Sequence, residues 1–192
     1  MPRPEWPGSD PGHLTGRRRR AAIRRWANGL VAEHGRAVAD VMGLEPARVL
    51  VVVSRRPGIA VTGGRVIRLH EPWFAEHPDD AGCVVHELSH AYLVPREHSE
   101  RTIWLIEGIA DLTRNRLGLG VDPSQQEVVP GSALAGYQES AHFLAWVEEQ
   151  APGTVVALSH RLREGAYDPS RFAVDGRPLD DVVRDYEAAH VR

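Results

Sequence analysis

Residues 84–92 read VVHELSHAY, with Glu87 directly after His86 and with His90 four positions beyond that first histidine. Residues four apart lie one above the other on the same face of an α-helix. On a helix, both imidazoles can therefore bind one metal ion, and Glu87 lies beside them as a base for a water molecule. The alternative is a buried helix that contains two histidines by chance.

The next apolar segment carries a second polar pair. Residues 104–112 read WLIEGIADL, in which Glu107 and Asp111 are again four apart. Acidic residues on a helix usually face solvent, but the apolar neighbours here leave little room for a polar face. Gly108 and Ala110 are small enough to allow another helix to approach closely. The pattern therefore favours two carboxylates turned towards the motif helix.

Together the two segments predict a zinc site. His86 and His90 with Glu107 from a separate helix form a His₂Glu set that leaves a fourth position for water. Such a set is characteristic of catalytic rather than structural zinc. Asp111 is then expected to accept a histidine N–H and fix the ring tautomer. We expect one Zn²⁺ per chain.

The two motifs resemble those of a known group of enzymes. HELSH followed by WLIEGIADL resembles the gluzincin arrangement, an HExxH motif with a downstream ExxxD. The chain is most similar to the basic secretory protein family, the peptidases of plants and bacteria, over about residues 20–190. Three further blocks carry this resemblance: GRVIRLHEPWF (64–74), GYQESAHFLAWVE (136–148) and LREGAYDPSRFAVDGRPLDDVVRDYEA (162–188).

The resemblance implies a zinc-dependent metallopeptidase of gluzincin type acting on a peptide or protein. Glu87 would take a proton from the attacking water and deliver it to the leaving amine. The resemblance also places Tyr137 at the start of a later helix, as a hydrogen-bond donor to the oxyanion. Packing at the surface is the alternative for Tyr137. His142 is expected to pack rather than react, and nothing in the spacing requires His70 or His98 as a ligand.

A rival interpretation keeps the fold without the reaction: a catalytically inactive zinc-binding module that acts in protein binding. Retention of Glu87 favours the enzyme, because a structural site needs the ligands but not the base. A third interpretation takes the arginines of residues 17–25 as a surface for an anionic partner. The formal net charge of −3 argues against it, and also against nucleic-acid binding.

The strands are expected before the motif helix. RVLVVVS (48–54) is apolar and β-branched, as in a buried strand, and alternation on both sides of Gly63-Gly64 predicts a hairpin. We expect the second hairpin strand to form the sheet edge beside the zinc-binding helix, where an extended peptide would add as a further strand. Its predicted substrate-binding residues are Arg65, Val66, Ile67, Arg68 and Leu69.

The order of elements predicts an α+β fold: a small, mostly antiparallel or mixed sheet followed by a helical C-terminal half, gluzincin-like by resemblance. Four prolines near the start predict a flexible leader over residues 1–15, with one metallopeptidase-like domain over 16–192. Residues 118–135 are expected to form a long loop. Helical patterns cover about 17–42, 99–117, 136–149, 155–163 and 179–190, besides the motif helix.

Composition sets the remaining expectations. A chain of 192 residues with 42% hydrophobic content can bury one core. All 23 basic residues are arginine, which indicates a compositional bias rather than a function. The single cysteine, Cys83, allows no intramolecular disulfide. The sequence has no apolar segment of membrane-spanning length and no signal-peptide core, so we expect a cytoplasmic protein with no membrane partner. We also expect a monomer.

Overall fold

The computed structural model describes residues 15–121 and 128–190. Except for Thr15, the predicted leader lies outside these residues, as does the middle of the predicted loop 118–135. The described chain is α+β, with seven α-helices and one three-stranded sheet. The elements are α1 (Gly16–Val41), β1 (Leu50–Ser54), β2 (Ala60–Gly63), β3 (Val66–His70), α2 (Glu71–Glu76), α3 (Ala81–Leu93), α4 (Ile103–Arg116), α5 (Tyr137–Gln150), α6 (Thr154–Glu164) and α7 (Leu179–His190).

The sheet is mixed, and its strand order corrects one prediction. β3 lies between β1, which pairs with it in parallel, and β2, which pairs with it antiparallel. The segment 65–69 is therefore central rather than an edge, since its backbone hydrogen-bonding groups are shared with two neighbours. It cannot accept a peptide as a further strand. The edge beside the motif helix is β2 instead.

The hairpin prediction is confirmed, with its turn one residue later than expected. Gly63 pairs with Val66, so Gly64 and Arg65 form the two-residue connection between β2 and β3. Gly64 has a φ of +57°, a conformation that glycine adopts without steric cost. The glycine therefore permits the tight turn that folds β2 back against β3.

The motif helix lies at the centre of the molecule. Along α3, nearly every residue is buried, since α1 packs on one side, the sheet on another and α4 on a third. α1 contributes an apolar stripe at helical spacing: Ile23, Trp26, Leu30 and Val38 are buried, and Val41 is partly buried. The sheet contributes its inner face, with Val51, Ile67 and Leu69 buried.

The pair α4 and α5 packs with very little space between the helices. A Cβ atom added to Gly108 would lie 2.7 Å from Cβ of Ser140, on the facing helix. The small residues of the WLIEGIADL segment thus permit the close approach that the sequence predicts. This contact fixes α5 directly above the polar face of α4.

Two short elements are absent from the predictions. α2 follows β3 without a connecting loop and has a proline in its first turn, a position that proline favours. A single 3₁₀ turn, Pro169–Arg171, lies between α6 and α7. Within the described ranges, no helix is both long and apolar enough to cross a membrane.

Candidate metal centre

α3 carries both histidines, and each of its ends has a defined cap. Asp80 caps the N-terminus, its Oδ1 accepting a hydrogen bond from the backbone N–H of Cys83 at 2.9 Å. Val94 ends the helix in a left-handed conformation, with a φ of +37°. His86 and His90 lie between these ends on the same face, with their Nε2 atoms 2.9 Å apart.

Glu107 from α4 completes a three-residue cluster. Its Oε2 lies 3.2 Å from Nε2 of His86 and 3.5 Å from Nε2 of His90. Donor atoms bound tetrahedrally to zinc at about 2.0–2.1 Å are roughly 3.3 Å from one another. The three donors therefore fit around one small cation, and among the described residues they form the one group able to hold a metal.

Asp111 supports the cluster from behind. Its Oδ1 lies 2.6 Å from Nδ1 of His86, on the side of the imidazole opposite the donor atom. This contact holds a proton on Nδ1, so that Nε2 is the nitrogen that would bind a metal. Asp111 is fully buried, and Arg114 of the same helix balances its charge through two contacts of 2.9 Å, from Nε to Oδ1 and from Nη2 to Oδ2.

The electrostatics of the cluster favour positive charge at its centre. Burial lowers the pKa of His86, but hydrogen bonds to Asp111 and Glu107 outweigh it and raise this pKa to about 9. Burial raises the pKa of Glu107, but hydrogen bonds to His86 and His90 outweigh it and lower this pKa to about 2. A carboxylate that stays ionised beside two imidazoles is the arrangement that also attracts a metal cation.

Glu87 is buried but faces the same space. Its Oε2 has no hydrogen-bond partner among the described residues. The side chain lines a cavity of about 700 Å³, which is also lined by the three donor residues. Desolvating an unpaired carboxylate oxygen is costly. A group that the fold keeps buried, unpaired and beside a metal-binding cluster is suited to exchanging a proton with a molecule bound in the cavity.

Tyr137 also lines the cavity. Its ring is almost parallel to that of His86, with the centroids 6.2 Å apart, and about half of the residue is exposed. Its φ of +47° is unusual for a residue with a side chain. The charge of Glu107, followed by partial burial, raises the pKa of Tyr137. Its hydroxyl therefore stays protonated at neutral pH and can donate a hydrogen bond.

The predicted substrate-binding strand and the other histidines lie in different places. The segment 65–69 does not line the cavity; the residues from Ile59 to Gly64, which include β2, line it instead. His142 packs away from it, with its Nδ1 2.6 Å from the hydroxyl of Tyr186 on α7. His98 lies at the cavity wall, whereas His70 is buried at the end of β3.

Two polar residues of the centre, Arg114 and Gln138, are not predicted from the sequence. Arg114 lies one turn beyond Asp111 on α4, where the i, i+3 spacing of opposite charges was an available signal. Gln138 comes from α5, and its Nε2 donates to Oδ2 of Asp111 at 2.6 Å. No local pattern indicates Gln138, because its partner is 27 residues away.

The comparisons with known proteins give one match, to a family model. No curated protein and no solved structure matches the chain significantly. A family model described as "Peptidase of plants and bacteria" matches residues 32–186. The matched span includes α3, α4 and α5 and all the donor residues. Because it covers most of the 192 residues, the chain belongs to this family of plant and bacterial peptidases.

Proposed function

We propose that this protein is a zinc-dependent metallopeptidase of gluzincin type. The observation that carries the proposal is the convergence of His86, His90 and Glu107 in one cavity with the unpaired carboxylate of Glu87. A structural zinc site has four protein ligands, whereas this cluster has three and opens onto a cavity. Membership of a peptidase family supports peptide-bond hydrolysis as the reaction.

In this proposal each residue has a distinct role. A zinc ion held by the three donors would lower the pKa of a water molecule and polarise the scissile carbonyl. Glu87 accepts the proton of the attacking water and passes it to the leaving amine. Tyr137 donates a hydrogen bond to the oxygen that becomes negative in the transition state. Asp111 keeps His86 in the tautomer that binds metal.

β2 is the proposed substrate-binding strand. It is an edge strand, it lines the cavity, and the side-chain hydroxyl of Thr62 donates to the carbonyl oxygen of Glu87 at 3.1 Å. An extended peptide that pairs with β2 would therefore lie directly along the helix that carries the base. Recognition through backbone groups implies broad sequence specificity.

The experiment that tests this function measures metal content and hydrolysis together. We expect close to one zinc per chain in the wild-type protein by elemental mass spectrometry, and loss of it in His86→Ala. Glu87→Gln should retain the metal and lose hydrolysis of a quenched fluorescent peptide library by about 10²-fold or more.

Two outcomes would contradict the proposal in different ways. Zinc binding in the wild-type chain without hydrolysis of any peptide would favour the inactive zinc-binding module. Absence of zinc after incubation with added metal would show that the three residues are not ligands, and the metallopeptidase function would be excluded.

A further inference from the structure

The side-chain amide of Gln138 joins two residues of α4. Its Nε2 donates to Oδ2 of Asp111 at 2.6 Å, and its Oε1 accepts from Nδ2 of Asn115 at 2.9 Å. An ionised carboxylate only accepts hydrogen bonds, so the NH₂ group of Gln138 must face Asp111. The carbonyl of Gln138 must then face Asn115. The chemistry of the partners therefore fixes the orientation of both amides.

Gln138 holds the carboxylate from a direction that Arg114 does not. Arg114 and Asp111 are three residues apart on α4, so this ion pair moves with its own helix. Gln138 belongs to α5 and, among the described hydrogen bonds, ties the Asp111 carboxylate to that second helix. With His86 on α3, the carboxylate is fixed between three helices, and its orientation determines that of the imidazole.

Gln138 directly follows Tyr137, which has a left-handed backbone conformation at the first position of α5. A second set of contacts holds the preceding turn: the N–H of Gly136 donates to Oγ of Ser140 at 2.8 Å, and that hydroxyl donates to the carbonyl of Ala133 at 2.9 Å. The turn carrying Tyr137 is thus fixed on one side by Ser140 and on the other by Gln138. A conformation of this kind is strained and persists only where its surroundings enforce it.

We propose that Gln138 is a positioning residue that couples the metal centre to the oxyanion donor. Through Asp111 it sets the orientation of His86, and through the backbone it sets the place of Tyr137 above that imidazole. This inference rests on the proposed function. It predicts that loss of one amide on α5 weakens metal binding, although Gln138 does not itself touch the donor cluster.

The test measures zinc affinity by competition with a chromophoric chelator, for the full chain and five variants. Gln138→Met keeps the length of the side chain and removes both hydrogen bonds. We expect its zinc dissociation constant to rise about tenfold or more, as for other residues that support a ligand. Gln138→Asn retains an amide but withdraws it by one methylene, and it should raise the zinc dissociation constant similarly. It takes the place of the Met variant if that variant does not fold. Gln150→Met, at the exposed end of the same helix, should bind like wild type.

A double-mutant cycle shows whether Gln138 acts through Asp111. Asp111→Asn should weaken zinc binding, and adding Gln138→Met should then cause little further loss. Unchanged affinity in the folded Gln138 variants, or a full independent loss in the double variant, would overturn the inference and leave the proposed function intact. A wild-type chain that binds no zinc would instead overturn both.

Discussion

The hydroxyl of Thr62 lies 3.1 Å from the backbone oxygen of Glu87. This hydrogen bond joins the edge strand β2 to the helix that carries the proposed base, at the position of the base itself. The carbonyl of Glu87 lies within a helix, so it retains its helical partner as well. Strand and helix are therefore held in register at the point where, in the proposed function, a bound peptide would meet the carboxylate of Glu87.

Removing this link should affect substrate binding more than the fold. We expect Thr62→Val, which keeps the β-branched shape, to lose about 1 kcal/mol of stability, typical of one hydrogen bond. A similar free energy lost in substrate alignment corresponds to a roughly fivefold rise in KM. Steady-state kinetics on a fluorescent peptide and urea denaturation measure the two effects. Thr62→Ser keeps the hydroxyl and is the matched control; equal KM values in both variants would disprove the alignment role.

The packing of α4 against α5 predicts a strong effect at Gly108. In Gly108→Ala the new methyl group would overlap Ser140, including its backbone carbon at 3.2 Å. We expect a loss of about 1–3 kcal/mol in the free energy of unfolding, as in other overpacked cores. Gly29→Ala lies on α1, where no described residue outside the local helix backbone comes within 4 Å of the added group. This variant should instead gain up to about 1 kcal/mol from helix propensity. Chemical denaturation of both variants checks the contrast, and a neutral Gly108 variant would show that the helices separate at little cost.

Cys83 should be chemically inert in the folded protein. Burial, followed by the charges of Asp80 and Glu87, raises the pKa of its thiol well above the ordinary value of 9.0. The reactive form is the thiolate, so alkylation of the native chain should remain slow between pH 7 and pH 9. In denaturant the same thiol should react, and faster as the pH rises. Mass spectrometry after iodoacetamide treatment measures both; native reactivity that increases steeply towards pH 9 would contradict the prediction.

His142 should make stability depend on pH. Burial, followed by the charge of His190, lowers its pKa below the ordinary value of 6.5. The unfolded chain therefore binds this proton first, and stability falls as the pH drops through about 6.5 towards the lower native pKa. His142→Asn keeps a polar partner for Tyr186 and removes the titration. Urea denaturation from pH 7.5 to 5 should show a smaller loss of stability in the variant than in wild type; equal losses would exclude this contribution.

Helices were predictable here because their signals are local. The last helix begins and ends where its apolar spacing predicts, at Leu179 and His190. α1 agrees to within one residue at each end of the predicted 17–42. In both cases the pattern repeats over many residues, so that an error at one position has little influence.

The sheet edge was not predictable from the same kind of pattern. The alternation of Arg65 to His70 indicates one buried and one exposed face. Ile67 and Leu69 are buried and Arg68 is exposed, but His70, on the same face as Arg68, is buried at the end of the strand. Alternation, however, indicates only which face of the sheet is buried. It carries no information about whether another strand pairs along each hydrogen-bonding edge. Whether β3 is central depends on the pairing with β1, and that contact is set by the whole chain.

By itself, the sequence determined which residues form the donor cluster. The spacing of His86 and His90, and of Glu107 and Asp111, fixes each pair on one helix face, and that geometry is a property of a single helix. Only the tertiary structure decided what surrounds the cluster: β2 as the exposed edge, and Gln138 as the support for Asp111. These relationships join segments far apart in the chain, and the packing that brings them together is distributed over the entire core.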